Sequence, residues 1–214
     1  SSKKIQIISG KRKTAVAKLQ IREGKGNLFY NKLPYNSLTM LHRLALQEPI
    51  NIYHSELGEN LTHDFIIEIH DNLMKNVDPR KGYRTVDIRV LRSNFEATPA
   101  PYVRTDTTLL LEWYKENEHK LHPLVLATIF HHKFEKIHPF MDGNGRTGRM
   151  ILNYILLKKN YPPTIIRKKS RKEYLEAMRK ADNSNPKSSE IKDYLELVQF
   201  NAREFAETYW NIFL

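Results

Sequence analysis

The chain contains no cysteine, which excludes disulfides and thiolate metal sites and leaves a cytoplasmic location as the expectation. It also lacks an apolar run long enough to span a bilayer. Its first ten residues carry two lysines but no sustained apolar block, so no secretory signal is expected. Acidic residues are scarce at one end. Through Ile52 there are two, against ten Lys and Arg, whereas the remainder is nearly balanced at 22 against 25. Glycine is sparse as well, with eight in 214 residues, yet three of the eight fall between His138 and Arg149.

What is present suits one globular domain with a small appendage. The length can bury a sizeable core, and 40% hydrophobic with 28% charged residues is a globular balance. Most of the net charge of +11 sits in the N-terminal quarter. Such a patch suits nucleic-acid phosphates and equally suits a solvated basic face. Residues 1–52 are therefore read as a basic N-terminal unit and residues 53–214 as the main domain.

In the N-terminal unit, Leu19 and Ile21 alternate with Lys18, Gln20 and Arg22, the run from Glu23 to Asn27 has turn chemistry, and Leu28 to Tyr30 resumes an extended pattern. This predicts a hairpin, followed by a short helix near Leu38 to Gln47. Past Leu61 the period becomes helical, with Thr62 as N-cap for a helix through Lys75. Val86, Ile88 and Val90 alternate with charged residues ahead of Pro99 and Pro101, which predicts a small hairpin within 83–103. Further helices are expected at about Asp106 to Glu118, Pro123 to Ile137, Gly145 to Lys159, Arg171 to Ala181 and Ser189 to Trp210.

Between two of these helices lies "HPFMDGNGRTGR", His138 to Arg149. Pro139 disfavours helical geometry at His138, so the incoming helix should end there and leave His138 in a loop at the core's edge. Met150 to Leu157 is apolar almost all round, which predicts that the outgoing helix is buried in the domain centre. Its N-terminus falls within Gly143-Asn144-Gly145, where backbone N–H groups and the dipole favour an anion. Arg146 and Arg149 add forked donors for the same polyanion. Asp142 suits Mg²⁺, which takes one or two carboxylates plus phosphate oxygens. His138 stands where a neutral imidazole could accept a proton from a nucleophile. Together these point to phosphoryl or nucleotidyl transfer. His131 and His132 are read as core or polar residues, because neighbours on a helix point about 100° apart and no acid nearby completes a metal site.

The stretch resembles the signature of the Fic family, His-x-Phe-x-Asp/Glu-Gly-Asn-Gly-Arg-x-x-Arg, at every specified position, and the resemblance runs from about Thr62 to the C-terminus. It implies a mainly α (α+β) fold: a Fic-type helical core with a β-hairpin flap, here joined to the small N-terminal β-hairpin and helix unit. It further implies a protein adenylyltransferase that moves AMP from ATP to a Tyr, Ser or Thr hydroxyl of another protein, or of itself, with Mg²⁺ as cofactor. In that family His138 is the general base and Phe140 the loop anchor; Asp142 binds Mg²⁺. Gly143, Asn144, Gly145, Arg146 and Arg149 hold the phosphates. A flap carrying Val86, Ile88, Val90 and Phe95 would dock the target segment by strand addition. "SELGEN", Ser55 to Asn60, fits the letters of the family's inhibitory element, with Ser55 and Glu59 as candidates, although Gly58 weakens a helix there by about 1 kcal/mol.

"SGKRKTAVAKLQIREGKGNLFYNKLPY" and "LALQEPI" are similar to the start of archaeal-type small-subunit ribosomal protein S9. That family binds ribosomal RNA, so the unit reads as a basic RNA contact, a docking module or a reused hairpin; if its charge binds RNA, Lys11, Arg12 and Lys13 are the first residues to neutralise. The alternative to the enzyme is thus a nucleic-acid or ribosome-associated module with a silent nucleotide-binding core; transfer of another nucleotide is a further one.

Overall fold

A computed structural model describes residues 60–75, 77–90, 95–159, 161–183 and 190–213, and, in the N-terminal quarter, residues 6–12, 15–21, 29–30 and 33–34. Residues 60–208 form one compact unit, and residues 1–59 with 209–214 another.

In the N-terminal quarter β1 (Gln6–Arg12) pairs antiparallel with β2 (Ala15–Ile21), in a register that sets Gln6 opposite Ile21 and Arg12 opposite Ala15. The short strands β3 (Phe29–Tyr30) and β4 (Leu33–Pro34) pair with each other. The sequence expectation joined the second strand to residues 28–30. The observed pairing uses a seven-residue partner across a two-residue connection, which satisfies more backbone groups at a smaller loop-closure cost. The expected helix near 38–47 lies outside the described residues.

Six α-helices and two short 3-10 turns, Ala100–Tyr102 and Lys168–Ser170, lie in the rest of the described chain: α1 (His63–Met74), α2 (Val103–Asn117), α3 (Pro123–Ile137), α4 (Asn144–Lys158), α5 (Arg171–Ala181) and α6 (Ile191–Phe213). None is long and apolar enough to cross a membrane. Their boundaries follow local chemistry. The Thr62 hydroxyl accepts the Phe65 N–H at 3.2 Å and starts α1. Pro123 occupies the first turn of α3, where its missing N–H costs nothing, and His122 Nδ1 accepts from Leu124 N. On α5 the buried residues Tyr174, Ala177, Met178 and Ala181 fall at helical spacing on one face.

The apolar side of α4 is buried as expected, with Ile151, Leu152, Ile155 and Leu156 in the core, and α3 is buried more completely still. Thirteen of its fifteen residues are buried. One side, with Leu126, Phe130 and Phe134, joins the core shared with α1, α2 and α4. The other, with Val125 and Ile129, joins the core shared with α5 and α6. The reason α3 does not read as a central helix is that five polar residues are buried with it. Thr128 Oγ1 accepts from Asn201 at 3.0 Å, and Lys133 lies over the rings of Trp113 and Tyr194. His131 meets the Tyr174 hydroxyl at 2.6 Å, His132 meets Asp182 at 3.1 Å, and Glu135 sits behind His138. These are the core roles expected for the two adjacent histidines.

Among the described residues no strand lies within 83–103, and 91–94 fall outside them. Among the described residues, side chains tie this segment together. Buried Arg84 donates to the carbonyls of Val86 and Thr98, and Asp87 Oδ1 accepts the Ala100 N–H at 2.7 Å.

Candidate active site

The site is built where α3 ends and α4 begins. His138 caps α3 in the left-handed conformation, with φ 52° and ψ 60°, and its N–H donates to the Phe134 carbonyl at 3.0 Å. Its Nδ1 donates to the Glu135 carbonyl at 3.0 Å. A carbonyl only accepts, so this bond places the ring proton on Nδ1 and leaves Nε2 with its lone pair. Burial lowers the His138 pKa, and nearby Arg84 lowers it further. The Glu135 bond and Asp142 act the other way. The ring is neutral at physiological pH.

The carbonyls at the end of α3 are held by Arg84, whose Nε donates to His138 O at 2.8 Å and whose Nη2 reaches Ile137 O at 3.3 Å. A cation at the negative end of a helix dipole is favourable, and here it also fixes the base of the 83–103 segment.

The loop is then folded by its own residues. Phe140 is fully buried and stacks on the His70 ring, centroids 3.7 Å apart and planes 4° off parallel. His70 Nε2 donates to the Asp142 carbonyl at 3.0 Å, so one histidine braces two points of the loop. Asn144 Oδ1 accepts the Phe140 N–H at 2.8 Å while its Nδ2 donates to the Phe140 carbonyl at 2.7 Å. Its side chain is therefore committed to the loop, and only its backbone N–H is left to meet an anion. Gly143 has φ 79°, and a Cβ there would come within 2.7 Å of Met74 Sδ, so any side chain at this position is strained and must displace Met74.

The N–H groups of Arg146 and Thr147 bond to the Gly143 carbonyl. Those of Asn144 and Gly145, in the first turn of α4, have no acceptor within the helix. Arg149 folds back over Gly145, where a Cβ would meet its Nη1 at 3.2 Å. The exposed Asp142 carboxylate accepts the Gly143 N–H at 2.6 Å and lies 3.6 Å from Arg146 Nη2.

A cavity of about 470 Å³ opens over this turn. It brings His138, Gly145 and Arg149 together with Glu135, Val90 and Phe95. Arg167, Lys168, Arg171 and Arg179 line it as well. Of the expected docking residues, Val90 and Phe95 thus reach the cavity, Val86 is exposed and Ile88 is half-buried. Ser55 and Glu59 lie outside the described residues.

Four contributors were missed from sequence: Glu135, Arg84, His70 and Tyr174. Only Glu135 carried a signal. It stands three residues before His138 at a helix end, and Gly148 in the interior of α4 marks a close approach on the facing helix.

Comparison with known proteins places the sequence and the fold. The model of the Fic/DOC family matches residues 60–156. The model of ribosomal protein S9/S16 matches residues 10–72, overlapping the first match at 60–72. A protein adenylyltransferase Fic of Nematostella vectensis is 34% identical over 66% of this chain and 34% of its own length. The protein adenylyltransferase fic-1 of Caenorhabditis elegans is 31% identical over 60% of this chain and 25% of its own. The chain thus spans about a third of one relative and a quarter of the other. A Fic-domain signaling protein of Bacteroides thetaiotaomicron superposes with a TM-score of 0.67 at 24% identity, over 78% of this chain and 67% of that one. Residues 60–156 form a domain of the Fic/DOC family.

Proposed function

We propose that the chain transfers AMP from ATP to a Tyr, Ser or Thr hydroxyl of a protein, with His138 as the general base. The observation that carries this reading is the Nδ1 bond to the Glu135 carbonyl, which leaves Nε2 basic in the cavity that also holds Gly145 and Arg149. The names of the two curated relatives support it.

In the reaction, Nε2 takes the proton of the target hydroxyl as its oxygen attacks the α-phosphorus. A new P–O bond forms, the bond to the bridging oxygen breaks, and pyrophosphate leaves. The N–H groups of Asn144 and Gly145 and the side chain of Arg146 bind the inner phosphates, and Arg149 takes the γ-phosphate. Asp142 suits Mg²⁺. Its carboxylate is exposed at the loop, and no group of three or more potential ligands exists among the described residues, so most of the shell would come from phosphate and water. The ion would offset the charge of the pyrophosphate. Val86, Ile88, Val90 and Phe95 form the side on which the target segment docks.

The N-terminal quarter supports a second binding role. Its ten basic residues against two acidic, with the S9/S16 match, suit an RNA contact. Filter binding to a ribosomal RNA fragment is expected to weaken steeply with salt, with a log–log slope of about −0.7 per phosphate contacted for single strands. Replacing Lys11, Arg12 and Lys13 should flatten that slope. Binding that ignores salt, or no binding, removes the RNA role.

A further inference from the structure

Behind the catalytic loop lies a carboxyl group that the transfer mechanism does not use. Glu135 is largely buried, with Oε2 3.9 Å from His138 Nδ1. Among the described residues its Oε1 has no hydrogen-bond partner. The side chain fits because α4 carries Gly148 opposite it: a Cβ there would meet Oε1 at 2.7 Å and His131 Nδ1 at 2.8 Å. Above Gly145 the same carboxyl and the Arg149 guanidinium flank one point, 3.8 Å and 3.2 Å from it respectively. An acid in this position costs desolvation energy, and its Oε1 gains no hydrogen bond in return, so fold stability does not account for it.

We propose that Glu135 is a positioning residue for the transfer: its carboxylate faces the back of the His138 ring and stabilises the imidazolium that forms when Nε2 takes the target's proton. The proton stays on Nε2, the Nδ1 proton stays in its bond to the Glu135 carbonyl, and the carboxylate acts through its charge alone. Opposite charges this close in a buried site interact far more strongly than in water. The inference rests on the proposed AMP transfer.

The charge on Glu135 is itself conditional. Burial pushes its pKa up to about 7, and Arg149 pulls the other way. The groups that face this cluster are His131 and His138 on and at the end of its own helix, Arg149 on α4, Tyr174, Arg171 and Arg179 on α5, and Arg167 and Lys168 just before α5. Asp182 follows α5, and Arg84 acts on His138 from the 83–103 segment. His131 stays neutral, since burial drops its pKa to about 3. Glu135 therefore loses its charge at a higher pH than His138 gains one. In the free enzyme the acid side of the kcat/KM profile should fall as Glu135 protonates near pH 7, before His138 titrates.

The test is Glu135→Gln, which keeps shape and removes charge. Its plateau kcat/KM should fall roughly 10- to 100-fold, the usual scale for losing a group that supports a functional histidine. Its acid limb should move to lower pH, where His138 alone titrates, and ATP affinity by calorimetry should change little. The variant should melt no lower than wild type at pH 8, because a neutral amide replaces a buried charge. A plateau within twofold of wild type overturns the inference. So does a lower plateau with the acid limb unmoved, since a purely structural role would produce that. Absence of AMP transfer by the wild type would instead defeat the reading on which the inference rests.

Discussion

Replacing His138 by Asn is expected to cut AMP transfer by roughly 10²–10⁴-fold, the contribution of a positioned general base, while ATP still binds. Asn is the better probe than Ala because His138 has φ 52°, a conformation Asn adopts at little cost. The groups proposed to bind phosphate do not depend on this side chain. The α4 N–H groups, Arg146 and Arg149 stay in place, so the nucleotide Kd by calorimetry should be close to wild type. Transfer of labelled AMP measured beside that titration separates the two effects. Undiminished transfer in His138→Asn removes the histidine from the mechanism.

Phe140→Ala is expected to destabilise the domain by about 3–5 kcal/mol, as for a fully buried aromatic truncated in a core, with a fall in Tm on the order of 10 °C. The ring is fully buried, stacked on His70 and tilted against Tyr83 and Phe134 with centroids 5.4 and 6.3 Å away. Removing it leaves His70 without the face it rests on. Because His70 also holds the Asp142 carbonyl, the loop that carries Asp142 and Gly143 should loosen and activity should fall with stability. Phe140→Leu, which keeps most of the volume, should cost less. A melting curve unchanged by Phe140→Ala would show that the loop is not anchored there.

Much of the helical architecture was legible because its signals are local. Pro123 opens α3, Pro139 lies just beyond its end, and Thr62 caps α1, and these residues fix element boundaries without reference to the rest of the fold. The motif was legible for a different reason. Glycines, arginines, an acid and a histidine concentrated between 138 and 149 have few joint explanations other than an anion site. What sequence could not show is which polar residues are buried. Lys133 and Glu135 show no sign of burial until Trp113 and Arg149 are brought to them from distant positions, and the partners of His131 and His132, Tyr174 and Asp182, are equally remote in the chain. Arg84 was invisible for the same reason. Its worth lies in carbonyls at 86, 98, 137 and 138, which only the tertiary fold assembles. The clamp of the Asn144 side chain on Phe140 was equally invisible, since it depends on the loop being folded.

The most direct test of AMP transfer is where the nucleotide label goes. The protein is incubated with Mg²⁺ and ATP labelled at either the α- or the γ-phosphate, and its intact mass is recorded alongside pyrophosphate release. Self-modification is expected to put the α-label into the chain, add the mass of whole adenylyl groups and release one pyrophosphate for each. The γ-label should stay out of the protein. Incorporation of the γ-label, or a chain that gains no adenylyl mass and releases no pyrophosphate, would contradict the account.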